Sequence, residues 1–174
     1  MKIFVIVGMP AAGKNIARIY AESKEIPYFA TGDIVRRAVQ DRGFEADAKN
    51  SALISNELRG DDGMGVTRIA LSLALKAGSP IVFMEGMRSW PEIELIRQDA
   101  TSVVVVAFVA PRETRLSRIV SRGRADDSID GFAERDLREI AYGASVPISL
   151  ADEYILNNKT MGHALHALDS IVIE

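Results

Sequence analysis

The chain contains no cysteine. Disulfide bridges and thiolate metal sites are therefore excluded, and a reducing compartment suits it. Aromatic residues make up only 6% of the sequence, with a single tryptophan, so the stacking platforms that hold single-stranded nucleic acid are scarce. An excess of positive charge is also missing. The formal balance is −3, whereas affinity for a phosphate backbone needs a basic surface, and no nucleic-acid partner is expected. The apolar run VVVVAFVA over Val103–Ala110 is far shorter than the roughly 20 residues that cross a bilayer. The apolar run at the N-terminus is too short for the core of a signal peptide. These absences point to a soluble cytoplasmic protein with no membrane partner, a monomer or small homo-oligomer. No repeat, low-complexity tract or Pro/Ser-rich linker divides the 174 residues, which read as one domain.

What is present alternates. The runs Ile3–Val7, Ile81–Met84 and Val103–Val109 are continuously apolar, as expected of strands covered on both faces. Weaker strands are expected just before Thr31 and at Tyr154–Leu156. Helical patterns lie between them: Asn15–Glu25, Ile34–Arg42, Ala46–Arg59, Val66–Ala77, Pro91–Gln98, Arg112–Ser121, Gly131–Gly143 and Thr160–Ile171. Strand–helix alternation predicts a parallel sheet between helices. Ligands in such folds bind beyond the C-terminal ends of the strands. The loops after Val7, Ala30 and Met84 should then share one crevice.

The first of these loops carries chemistry. Gly8, Gly13 and Lys14 in GMPAAGKN fit the spacing G-x-x-x-x-G-K, between a buried-type strand and a helix. Glycines let the backbone curl so that successive N–H groups point at phosphate oxygens, the helix N-terminus adds partial positive charge, and the lysine adds a full one. Gly8, Met9, Pro10, Ala11, Ala12, Gly13, Lys14 and Asn15 are thus candidates to hold the phosphates of ATP. Asn15 stands where a Ser or Thr hydroxyl would bind Mg²⁺. Its carbonyl oxygen is an acceptable hard ligand. Direct ligation, a bridging water, or an NH₂ turned to phosphate are all open to it.

The second loop, ATGDIVRRAVQDRG over Ala30–Gly43, offers Thr31 and Asp33 as helix N-caps. Together with GMPAAGK it resembles the nucleoside-monophosphate-binding segment of adenylate kinases. That resemblance implies that Thr31 touches an acceptor nucleotide and that Arg36 grips its phosphate. MEGMRSWPE over Met84–Glu92 is similar to the family's strand-end acid and following arginine, so Glu85 is implied near Mg²⁺ and Arg88 near the acceptor phosphate. Glu85 as a plain arginine partner is the alternative. In RETRLSRIVSRGRADD over Arg112–Asp127, Arg112, Arg115, Arg118 and Arg122 recur at helical spacing, with Leu116, Ile119 and Val120 expected in the core. R-I-V-x-R resembles the start of the family's lid, and Arg124, Asp126 and Asp127 match its close. Arg118 is implied against adenine, and Arg122, Arg124 and Arg135 against the charge of the transferring phosphoryl group.

LADEYILNNKT over Leu150–Thr160 resembles a segment of dephospho-coenzyme A kinases whose loop contacts the ATP base, with Asn157 as the matching residue. A strand-to-helix turn explains the Asn pair equally well. The whole set also looks like an archaeal group of adenylate-kinase-related proteins with short lids. The resemblance implies a three-layer α/β fold, a P-loop NTPase of the nucleoside monophosphate kinase type, with an acceptor-binding helical segment over 33–65 and a short lid over 118–127. It implies a kinase using ATP and Mg²⁺, with AMP favoured as acceptor. Lys14, Arg88, Arg122, Arg124 and Arg135 would be catalytic, and Thr31, Asp33, Arg36, Arg59 and Arg88 would seat the acceptor. A hydroxyl acceptor, as in dephospho-coenzyme A, would need a base, for which Asp33 is the candidate. A non-catalytic ATP-binding sensor is the rival that Asn15 motivates. His163 and His166, three apart on the last helix, read as a surface pair, and Arg59–Gly63 as an exposed turn.

Overall fold

In the computed structural model, which describes residues 1–122 and 129–173, five strands form one parallel sheet in the order β2-β3-β1-β4-β5. They are β1 (Lys2–Val7), β2 (Tyr28–Ala30), β3 (Ile81–Glu85), β4 (Ser102–Val109) and β5 (Glu153–Leu156). The order reverses at β1, which pairs β3 on one side and β4 on the other, with Val5 opposite both Met84 and Val105. A crevice opens at such a reversal, because the connections from neighbouring strands leave in opposite directions. The loop after Val7 lies there.

Helices cover both faces. Ile3, Val5 and Val7 point to one side, where Ala70, Leu71 and Ala74 of α4 (Gly65–Lys76) and Ile93 and Ile96 of α5 (Trp90–Asp99) pack on them. Phe4 and Ile6 point to the other, against Ala17 and Tyr20 of α1 (Asn15–Ser23) and Leu168 of α9 (Met161–Ile173). The apolar runs do alternate, but between two buried faces, and this is why neither face carries polar residues. Phe4 and Phe83 stack at 5.3 Å in the second layer. A separate small core of Val35, Val39, Ile54 and Val66 joins α2 (Thr31–Asp41), α3 (Ala48–Arg59) and α4.

The helices α6 (Arg112–Arg122), α7 (Ile129–Ala141) and the short α8 (Ser145–Ser149) complete the described elements. The sequence pattern did not indicate α8, whose five residues are too few to show a period. Two local expectations are corrected. Thr31 and Asp33 lie inside α2, whose N-cap is Ala30 with no side-chain cap bond; Asp33 instead pairs with arginines. In α6, Val120 is exposed while Arg115 is buried. The reason is Phe132 of α7. Its ring attracts the guanidinium groups of Arg112 and Arg115, centred 5.0 and 5.1 Å away. Asp136 then takes Arg115 in two hydrogen bonds of 2.7 Å.

Removing one partner of a buried ion pair strands the other charge, at about 3–5 kcal/mol. Asp136→Ala should therefore lower unfolding stability by about that amount, read by urea denaturation. The double variant Arg115→Met/Asp136→Leu should recover most of the loss. Equal losses in both would show that packing around Phe132, not the stranded cation, dominates.

Candidate active site

The glycine loop between β1 and α1 is tied down from several directions. Lys14 Nζ donates to the carbonyls of Gly8 at 2.8 Å and Met9 at 3.3 Å. Arg115 donates to Pro10 O at 3.1 Å, Arg118 to Ala11 O at 3.2 Å, and Asn157 Nδ2 to Ala12 O at 2.8 Å. Each carbonyl from Gly8 to Ala12 is thereby held. The amides of Ala11, Gly13, Lys14 and Asn15 have no acceptor among the described residues. Consecutive free amides in a curled backbone form an anion-binding concavity. Gly13 is needed for a second reason besides its φ of 103°. A Cβ there would sit 1.9 Å from Asn157 Nδ2 and would break the brace.

The loop faces a cleft of about 580 Å³ at the C-terminal ends of β1, β2 and β3. Among the described residues seven cations line it, Lys14, Arg18, Arg36, Arg59, Arg88, Arg135 and Arg138, against three carboxylates, Glu85, Glu92 and Glu139. Thr31 lies at its edge, close to Gly86, where φ is 101° and a Cβ would meet Thr31 Oγ1 at 2.0 Å. The three loops expected around one crevice do meet here. Burial pushes the Lys14 amine below its usual value, partly offset by Glu85 and Glu139, with Arg88 and Arg115 adding to the fall.

Glu85 ends β3, and its Oε2 accepts a 2.8 Å bond from the Tyr28 hydroxyl. Burial, then the charge and hydrogen bond of Glu85, push that hydroxyl well above its ordinary range, so it remains a donor. Arg18 stacks over the Tyr28 ring at 4.6 Å and reaches Asp33 Oδ2 at 2.5 Å. Asp33 Oδ1 accepts from Arg36. Burial raises the Asp33 carboxyl, but the two arginines outweigh it and hold the group below the usual carboxylate range. Arg88 Nε pairs with Glu139 at 2.9 Å. Glu92, 6% exposed, accepts from the backbone N–H groups of Arg88 and Ser89 and from Thr67 Oγ1, which fixes the loop that carries Arg88.

The candidates from sequence thus divide. Lys14, Thr31, Arg36, Arg59, Glu85, Arg88 and Arg135 line the cleft, with Asp33 bonded to Arg36 at its edge. Asn15 is exposed at the start of α1 and is not part of the lining. Arg118 and Asn157 lie behind the loop, joined through Arg118 Nη2 and Asn157 O at 2.8 Å. Arg122 does not line the cleft. Arg124, Asp126 and Asp127 fall outside the described residues. Arg18, Tyr28, Arg138, Glu139 and Tyr142 went unnoticed in the sequence. One signal existed: Arg135, Arg138, Glu139 and Tyr142 follow i, i+3, i+4, i+7 and share one side of α7 and its C-terminal turn. Among the described residues no group of three or more His, Asp or Glu could hold a metal ion, and no helix is long and apolar enough to cross a membrane.

No family model matches the sequence. Relatives do. A UPF0200 protein of Methanosarcina acetivorans is 38% identical over 165 residues, covering 92% of this chain and 88% of that one. The chain belongs to the UPF0200 family. A UPF0200 protein of Methanocaldococcus jannaschii is 34% identical and covers all of this chain and 90% of its own. Among solved structures, TT1252 from Thermus thermophilus superimposes with a TM-score of 0.68 at 16% identity, covering 98% and 96% of the two chains. Shikimate kinase from Bacteroides thetaiotaomicron gives 0.64 at 12% identity, covering 100% and 99%. At such identities the likeness is one of fold: this UPF0200 protein has the α/β architecture of P-loop kinases.

The paired Asp33 carboxylate stabilises the fold only while ionised. Its lowered pKa contributes stability at neutral pH, and this is lost as pH falls below about 4 toward the depressed folded value. The gap in melting temperature between wild type and Asp33→Asn should therefore be widest near pH 7 and narrow below pH about 4. A gap that stays constant across that range would contradict the pairing.

Proposed function

We propose that this protein is an ATP-dependent kinase that transfers the γ-phosphoryl group to a small, anionic, nucleotide-like acceptor, with AMP favoured. The observation that carries the reading is the group of four loop amides beside Lys14 that have no acceptor among the described residues, facing a cleft that six further described cations line. A positive cleft in a chain of net charge −3 suits two anions at once, a nucleoside triphosphate and a charged acceptor. The kinase structures that share the fold, a sugar kinase and shikimate kinases by name, are consistent with phosphoryl transfer and leave the acceptor open.

In this reading the loop amides and Lys14 bind the donor phosphates, while Arg36 and Arg88 orient the acceptor. An anionic acceptor oxygen bonds to the γ-phosphorus as the bond to the bridging oxygen breaks, and ADP leaves. Arg88 and Arg135 stabilise the charge in flight, where one well-placed arginine contributes roughly 10³–10⁵ in rate. Glu85 is a fitting partner for Mg²⁺, because among the described residues only its Oε2 is engaged, by Tyr28, and magnesium at such sites needs just one or two carboxylates beside the phosphates. Bound with ATP, Mg²⁺ would neutralise phosphate charge. Arg118 and Asn157 act from behind the loop, holding its carbonyls outward. The adenylate-kinase resemblance of the T-G-D and G-M-R segments agrees with this division of labour.

A phosphate acceptor is preferred to a hydroxyl one on the state of Asp33. A hydroxyl acceptor, as in dephospho-coenzyme A, needs a base, and a carboxylate held below its usual pKa by two arginines is a weak one. One observation favours a second reading, that of an ATP-binding sensor: Asn15 is exposed and does not line the cleft, so the usual magnesium hydroxyl has no evident replacement.

The test is ADP formation with AMP, CMP, UMP, GMP and dephospho-coenzyme A, run beside Lys14→Ala. Turnover that depends on AMP and falls at least about 100-fold in Lys14→Ala is expected. Tight ATP binding without acceptor-dependent turnover would replace the kinase by the sensor. Asn15→Ser should leave ATP affinity within about threefold; a large gain in kcat would identify Asn15 as the residue that limits magnesium placement.

A further inference from the structure

Arg59 is the last residue of α3, and Arg88 lies in the loop after β3. Both guanidinium groups lie over a single ring, that of Tyr142, at 5.1 Å and 5.2 Å from its centre. Tyr142 directly follows α7, and its N–H donates to Arg138 O at 3.0 Å. All three residues line the cleft.

Two cations gathered at one ring repel each other. Among the described residues a single carboxylate answers them: Glu139, which pairs with Arg88 through Nε. Arg59 has no ion-pair partner among the described residues. Positive charge is therefore in excess here, yet it is held in place. The ring quadrupole attracts each guanidinium, and Glu92 fixes the backbone of Arg88 through two N–H bonds to its Oε2. An arrangement that concentrates like charge without neutralising it is what an anion site requires.

We infer that Tyr142 is a positioning residue that gathers Arg59 and Arg88 into one oxyanion subsite, and that the acceptor carries the phosphate monoester or carboxylate that occupies it. The inference rests on the cleft being the acceptor site, as proposed above. Planar guanidinium forks match the two-oxygen geometry of either group. The ring holds them and the hydroxyl is not needed, so phenylalanine should serve as well as tyrosine.

The test is calorimetric titration of the 174-residue chain, kept saturated with Mg²⁺ and a non-hydrolysable ATP analogue, with AMP, adenosine and shikimate. Wild type, Tyr142→Phe, Tyr142→Leu and Arg59→Gln are compared. AMP or shikimate should bind wild type and Tyr142→Phe equally, and should bind Tyr142→Leu and Arg59→Gln roughly three- to tenfold more weakly. AMP binding identifies a phosphate subsite, and shikimate binding identifies a carboxylate one. Adenosine, which lacks the oxyanion, should bind at least about tenfold more weakly than AMP, and affinity for the ATP analogue should be the same in all four proteins. Undiminished binding in Tyr142→Leu, an equal loss in Tyr142→Phe, or no binding of either oxyanion to wild type would overturn the inference. Turnover is not read, so AMP binding in a protein that phosphorylates none of the acceptors would sink the kinase reading and leave the subsite intact. Tyr142 is 42% exposed, so its variants are expected to fold; Arg59→Gln carries the test should Tyr142→Leu fail to do so.

Discussion

The site depends on where the carbonyls of one loop point. A glycine loop presents amides to an anion only if its carbonyls are turned away, and turned-away carbonyls near the protein interior need donors. Here Lys14, Arg115, Arg118 and Asn157 supply them for Gly8 through Ala12. Three of these donors come from residues more than 100 positions away. The loop is consequently a joint between β1, α6 and the turn after β5. Its shape is set by the assembled fold, and Arg118 and Asn157, which the two kinase resemblances imply near the ATP base, both contact the loop backbone.

The second constraint is electrostatic. A chain of net charge −3 lines its crevice, among the described residues, with seven cations and three carboxylates. The imbalance is held by local devices. Asp33 bridges Arg18 and Arg36, the Tyr28 ring underlies Arg18, and the Tyr142 ring underlies Arg59 and Arg88. Each gathers two cations, or a cation and a ring, at one place in the cleft wall. Glu92 does related work from beneath, since one buried carboxylate satisfies the N–H groups that shape the Arg88 loop. The result is a pocket organised for negative charge before any ligand arrives, which lowers the reorganisation that binding would require.

Much of this was legible from the chain. Each of the five strands was foreseen to within about two residues; for β1, β3 and β4 the reason is that a strand covered on both faces is apolar almost throughout. The longer helices followed from their periodicity. Lys14 was singled out by its glycine spacing at a strand end, where an α/β sheet puts its ligand site, and Arg36, Glu85 and Arg88 by the resemblance of their segments to those of adenylate kinases. Other readings failed for definite reasons. Val120 was assigned to the core by hydrophobicity, whereas Arg115 lies there because Phe132 and Asp136 receive it. Arg18, Glu139 and Tyr142 went unremarked since each matters only through a partner on another element.

The sequence by itself determined the layered α/β architecture and the position of the glycine loop, since strand periodicity and glycine spacing are local properties that need no partner to be read. Only the tertiary structure decided which arginines share the cleft and which brace the loop from behind. Helical spacing grouped Arg112, Arg115, Arg118 and Arg122 on one face, yet none of them lines the cleft. A guanidinium on a long, flexible stem is positioned by the carboxylates, carbonyls and rings it meets, and those are brought together only when the chain has folded.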